Sequence, residues 1–326
     1  MKKVPIVLLV GICSSCIVSG FNYKQPPKEN PIAIDAPWSA SINLGIGIHR
    51  AARGVTMVTE GHYDFKPSWS QRGDRLVFFR SDRYTGPFDQ WKTRICTIKE
   101  DGTGFNVLTA GRYADYNPTW TRDGSERVIF NRYARKGVSH CEIYMTDPEG
   151  KPGDEVRISD PTFDFFEWAM SALKDGRIFV ERTTPKETRS YLLTPYPGEK
   201  GHYQEVKRPT EKQWHKLSIS PDETKVCYML DRDGNTATYE DVVLAFADFD
   251  KKKLEIKNQV VITEYNRSNI YEYPRWTPDG KHIVYDSNRT GTYQLYAYRL
   301  EDGTTGRITK ESHLNFSFPH FRGAPK

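Results

Sequence analysis

The chain has 326 residues, 37% of them hydrophobic and 27% charged, with a formal net charge of +5. So small a surplus argues against nucleic acid as a partner. At a mean hydropathy of −0.68, no membrane-spanning helix is expected beyond the N-terminus.

The first element in chain order is a leader. Met1-Lys2-Lys3 is followed by an apolar stretch from Val4 to Cys13 and then small residues, the pattern of a secretory signal over residues 1–20. The stretch is too short to span a bilayer. Ser14-Ser15-Cys16 resembles a bacterial lipobox, with Cys16 as the lipidated residue. Val18-Ser19-Gly20 before Phe21 resembles an ordinary signal-peptidase site, and both readings stay open. Residues 21–38 are Pro-rich and polar, as a tether would be. A membrane is expected as a partner only through such a lipid anchor.

Residues 39–326 are organised by one recurring phrase. It reads Pro67-Ser-Trp-Ser-Gln-Arg-Gly-Asp, then Pro118-Thr-Trp-Thr-Arg-Asp-Gly and Pro274-Arg-Trp-Thr-Pro-Asp-Gly-Lys. Worn copies begin at Met170 and Leu217, and a truncated one, Pro319-His-Phe, ends the series. A period near fifty residues marks stacked supersecondary units. Each phrase precedes a short β-branched and aromatic run: Leu76–Phe79, Val128–Phe130, Ile178–Val180, Val226–Met229 and Ile283–Tyr285. These runs are too short for helices and read as strands. The Asp-Gly between phrase and run supplies turn chemistry. A third strand such as Arg94–Ile98 and a fourth ending in Val107-Leu-Thr or Arg307-Ile-Thr complete four antiparallel strands.

The unit resembles the WD40-like repeat, also called PD40, of TolB-like β-propellers. The carrying residues are Pro-x-Trp-Ser/Thr-Pro-Asp-Gly-Lys, the following Asp286-Ser-Asn-Arg289 and Arg80-Ser-Asp-Arg83, and the closing Leu/Ile-Thr. The likeness is to the family rather than to TolB itself. It implies an all-β, six-bladed propeller. Five phrase-to-phrase intervals give five blades. The last phrase would share a sixth with N-terminal strands at Ser41–Ile48 and Val55–Thr59, which closes the ring without a free edge. The second strand of that blade is not assigned by the pattern.

Stepping back three residues from each phrase gives Asp64, Asp115, Glu167, Trp214, Tyr271 and Phe316. If these sit at one mouth of the channel, three acids face three aromatics. His215, Glu272 and His313 stand nearby. Carboxylates accept hydrogen bonds from hydroxyls and aromatic faces pack on sugar rings, so this composition suits a glycan. Opposed carboxylates also suit general acid–base chemistry. Asp64, Asp115 and Glu167 offer hard oxygens for Ca2+ as the candidate cofactor. Solvated channel lining is the bland alternative. Arg83, Arg182, Arg232 and Arg289 recur at one repeat position and read as structural. Cys96, Cys141 and Cys227 show neither a disulfide nor a zinc pattern and read as buried small residues.

Two functions follow as expectations. One is a non-enzymatic propeller in the periplasm or cell envelope, anchored by lipid at Cys16, that binds an envelope protein or a glycan at the channel mouth. The resemblance implies protein–protein contacts of that kind. The alternative is a polysaccharide lyase or glycoside hydrolase using the same pocket, with no catalytic residue assignable.

Overall fold

A computed structural model describes residues 38–42, 45–50, 54–83, 91–133, 140–196, 200–210, 213–232, 242–263, 271–310 and 315–322. The described residues form 24 strands in six four-stranded sheets. Sheet 1 holds β4 (Tyr63–Trp69), β5 (Arg75–Ser81), β6 (Thr93–Lys99) and β7 (Asn106–Val107). Sheet 2 holds β8 (Ala114–Trp120), β9 (Val128–Tyr133), β10 (Glu142–Thr146) and β11 (Val156–Arg157). Sheet 3 is β12 (Phe166–Ala172), β13 (Ile178–Thr183), β14 (Thr188–Thr194) and β15 (His202–Val206). Sheet 4 is β16 (Gln213–Ile219), β17 (Lys225–Asp231), β18 (Val242–Asp250) and β19 (Glu255–Val261). Sheet 5 is β20 (Tyr271–Trp276), β21 (His282–Ser287), β22 (Gln294–Arg299) and β23 (Thr305–Arg307). The remaining sheet runs β24 (Phe316–Phe321), β1 (Trp38–Ile42), β2 (Gly45–Arg50), β3 (Gly54–Met57).

This is an all-β propeller. The last sheet joins both ends of the described chain, because β24 pairs with β1. Its second strand, unassigned from the sequence, is Trp38–Ile42. The run read as one strand, Ser41–Ile48, is divided between β1 and β2, which pair antiparallel.

The repeat residues explain themselves in the hydrogen bonds. The closing Thr of a unit accepts the backbone N–H of its third strand: Ile95 N–H to Thr109 Oγ1 (3.0 Å), Leu244 N–H to Thr263 Oγ1 (2.9 Å), Leu295 N–H to Thr309 Oγ1 (3.0 Å). Ile46 N–H does the same to Thr59 Oγ1 at 2.9 Å, so Val58-Thr59 belongs to the last unit. The turn glycines Gly73, Gly124, Gly176 and Gly280 take positive φ, where Cβ is costly. In sheet 4 the worn phrase puts Glu223 there at φ 63°, and its carboxylate is engaged by Lys174 N–H (2.5 Å) and Lys251 Nζ (2.7 Å).

The apolar core is not one mass. It is divided among interfaces between consecutive sheets: Phe65 and Phe79 with Tyr116 and Phe130, Ile143 with Val180, Phe179 with Val226, and Leu244 with Tyr285. Val284 and Leu295 pack on Phe316 and Phe321, and Ile46 and Ile48 on Leu76 and Phe78. The last two interfaces tie the shared sheet to both neighbours. Glu100, in the turn after β6, pairs with Arg322 at 2.8 Å and also with Arg50, so one carboxylate holds both terminal segments. Cys96, Cys141 and Cys227 are free and buried.

Candidate functional site

The three carboxylates expected at the channel mouth lie inside the blades. Asp64 is fully buried and accepts both Arg80 Nε (2.7 Å) and Nη2 (2.9 Å). Asp115 is likewise buried, bonded by Arg132 Nε (2.6 Å) and Nη2 (2.9 Å). Glu167 accepts Arg182 Nε at 3.0 Å. In each case the arginine faces the acid across the first two strands of the same sheet. Each guanidinium also lies over aromatic rings: Arg80 over Phe105, Arg132 over Tyr144, and Arg182 over Tyr203. Paired and stacked this way, a buried ion pair is satisfied. The acids do not meet one another, and among the described residues no three His, Cys, Asp or Glu converge as a metal site. The proposed acidic wall and Ca2+ site are therefore corrected to three repeated structural ion pairs.

The aromatic half is displaced as well. Trp214 is fully buried and stacks on Tyr228, with centroids 3.9 Å apart and planes at 8°. His215 is pushed down to about 3 by burial and by the charge of Lys216, so it is neutral at ordinary pH. Glu272 is half-buried, opposite Asp286 in the β20–β21 register. Tyr271 opens β20, while His313 and Cys16 lie outside the described residues. Of the recurrent arginines, Arg182 is the buried partner of Glu167, and Arg289 stacks on Tyr296 at 3.6 Å. Arg83 is exposed at the surface beside Asp82.

The cause of the displacement is strand geometry. Successive side chains of an innermost strand point to the two faces of its sheet. In a propeller both faces are covered by neighbouring blades, so a regular strand sends little into the channel. Every innermost strand here carries one extra residue, a β-bulge, at the phrase. Lys66, Asn117, Lys216, Tyr273 and Phe318, each just before the Pro position, take φ between 49° and 59°. Bulges re-aim side chains, and these five residues hold a left-handed conformation that L side chains adopt at a cost.

The channel is lined accordingly. A neck of about 70 Å3 is walled by Lys66, Asn117, Met170, Tyr273 and Phe318, with Arg275 and His320 beside them. It continues into a funnel of about 400 Å3, walled by Ser68, Thr119, Ser171, Ser218, Arg122 and Trp276 among others. Neither wall contains an Asp or Glu among the described residues, while Lys66, Arg122, Lys174 and Arg275 all face in. The Lys66 ammonium lies 5.1 Å from the Tyr273 centroid and 5.5 Å from that of Phe318. The Lys216 ammonium is 5.3 Å from the Tyr273 ring.

His320 is held neutral, near 3, by burial and then by the charges of Arg275 and Arg122. Its Nδ1 accepts Trp69 N–H at 3.2 Å, so the proton is on Nε2, which donates to Ser68 Oγ at 3.2 Å. Arg275 is pulled below its ordinary value by burial. The sequence reading passed over Lys66, Lys216 and Arg275. The available signal was position: two stand directly before a phrase, and Arg275 replaces a Ser or Thr inside it.

Comparison with known proteins places this architecture. No family model and no curated protein matches the chain. Among solved structures it is similar to TolB from Acinetobacter baumannii, at 12% identity and a TM-score of 0.68, covering 89% of this chain and 67% of that one. Hydrazine synthase from Kuenenia stuttgartiensis matches at 12% identity and 0.66, over 89% of this chain and 47% of that one. An oligogalacturonate lyase in complex with manganese matches at 15% and 0.51, over 82% and 71%. At such identities the likeness is one of fold, a TolB-like β-propeller, and a propeller hosts many functions.

Proposed function

We propose that this chain is an exported, non-enzymatic six-bladed propeller that binds an envelope protein or glycan through its central channel. The observation that carries the reading is the channel wall, which offers cations, hydroxyls and aromatic rings but no carboxylate among the described residues. Such a wall recognises a ligand, yet it lacks the opposed acids of a glycosidase. The six sheets, with β24 and β1 joined, support a ring of six blades closed by both termini. The signal-like residues 1–20 and the TolB-like fold support the envelope, with Cys16 as the anchor.

A second reading, a carbohydrate-active enzyme, draws on the likeness to oligogalacturonate lyase. Asp286, whose carboxyl burial raises to about 7, does not serve it, because this residue is fully buried and lines neither cavity. The test is an array of peptides and glycans probed with the wild-type protein and with Thr119→Trp, which obstructs the channel. Binding lost in the variant is the expected result. New reducing ends or unsaturated products from an uronate glycan would favour the enzyme instead.

A further inference from the structure

Three arginines packed inside the blades are neutralised. Arg80, Arg132 and Arg182 each meet a carboxylate at 3.0 Å or less. Arg275 is different. Its hydrogen bonds go to the backbone carbonyls of Pro274 (3.0 Å) and Lys216 (3.4 Å). Arg122, in the funnel, likewise donates to the carbonyls of Ala172 and Pro221, both at 3.4 Å. Lys66 and Arg275 thus line one narrow neck whose wall holds no Asp or Glu among the described residues, and the acid whose field reaches Arg275, Asp286, lies buried outside that wall. A passage with low-dielectric walls concentrates such a field on whatever enters.

Shape narrows the ligand. The neck, about 70 Å3, admits a carboxylate and the atom that bears it, and the wider funnel admits a body. A sugar ring carrying its acid would have to occupy the neck itself. Tyr273 and Phe318, with centroids 4.1 Å apart, form part of the wall beside the cations. A guanidinium and an ammonium in the wall of one neck suit a carboxylate held by charge-assisted hydrogen bonds. The hydroxyls of Ser68, Thr119, Ser171 and Ser218 line the route into it, at a spacing set by consecutive blades. We infer that the neck seats the C-terminal carboxylate of a peptide that enters through the funnel, with Arg275 and Lys66 as its cationic seat. This deepens the channel-binding reading and rests on it.

The test is calorimetric titration of the full chain with N-acetyl-trialanine as free acid and as C-terminal amide. The acid is expected to bind at least tenfold more tightly than the amide and to weaken with added salt. Arg275→Gln and Lys66→Met should each weaken the acid tenfold or more and leave the amide unchanged. Melting curves verify folding, and Lys66→Met carries the test if Arg275→Gln does not fold. Equal affinity for acid and amide, or no binding of either, would overturn the inference. Tighter binding of a galacturonate trimer or of inorganic phosphate would also overturn it. A ligand from the array that is lost with Thr119→Trp yet indifferent to Arg275→Gln would defeat this inference and spare the channel reading. Indifference to both would defeat both.

Discussion

Trp120 donates its indole N–H across a blade boundary to the backbone carbonyl of Ser68, 2.9 Å away. Trp276 does the same to Ser218 at 3.1 Å. The tryptophan of the phrase thus fastens two innermost strands, β8 and β20, each to the innermost strand of the sheet before it. The indole N–H of Trp69 has no hydrogen-bond partner among the described residues. Trp120→Phe and Trp276→Phe should therefore each lose a buried hydrogen bond in addition to packing, about 1–3 kcal/mol for the orphaned carbonyl. Trp69→Phe should lose only the packing. Urea unfolding of the three variants measures the difference, and an equal cost at Trp69 would contradict it.

Much of the fold was legible because the repeat writes it out. Apolar runs such as Leu76–Phe79 became second strands, and the closing Thr109 and Thr309 proved to be acceptors for third-strand amides. The site was less legible. Counting back from Pro67 assumed that the strand keeps its phase toward the channel. The bulge at Lys66 breaks that phase, and the bulge residues share no side-chain chemistry that could announce it. The role of Asp64, Asp115 and Glu167 was recoverable from another pattern. An arginine follows each by 16, 17 and 15 residues, the span of one hairpin.

The Asp115–Arg132 pair is deeply buried, with side-chain exposures of 1% and 6%. Removing one partner strands the other charge. Asp115→Asn should cost about 3–5 kcal/mol in unfolding free energy. Added Ca2+ should not raise the wild-type melting temperature, because the carboxylate oxygens are already committed to guanidinium. A calcium-dependent stabilisation lost in Asp115→Asn would contradict the ion-pair account.

Burial raises the Asp286 carboxyl from 3.8 to about 7, although Ser317 Oγ donates a hydrogen bond to its Oδ2. The folded state then binds this proton more tightly than the unfolded chain. Its contribution is fully present below pH 4 and is lost as pH rises through 7. Asp286→Asn should flatten that part of the curve. Unfolding free energies from pH 4 to 8 should show the wild type declining relative to the variant. Parallel curves would contradict the assignment.

Closure of the ring rests on β1, β2 and β3. Deleting residues 38–57 leaves β24 without its sheet and exposes the faces of Ile46 and Ile48's partners, Leu76 and Phe78. Cooperative thermal unfolding should be lost. A sharp, native-like melt in the deletion variant would show that the other sheets close without it.

The central claim is that the channel is a cationic seat with no acid in its wall among the described residues. Bromide and rubidium soaks of crystals of this protein, read by anomalous scattering, test it directly. The account predicts bromide in the neck within hydrogen-bond reach of Arg275, depleted in Arg275→Gln, and no rubidium there. Rubidium in the neck, or bromide confined to surface lysines with the neck empty, would contradict it.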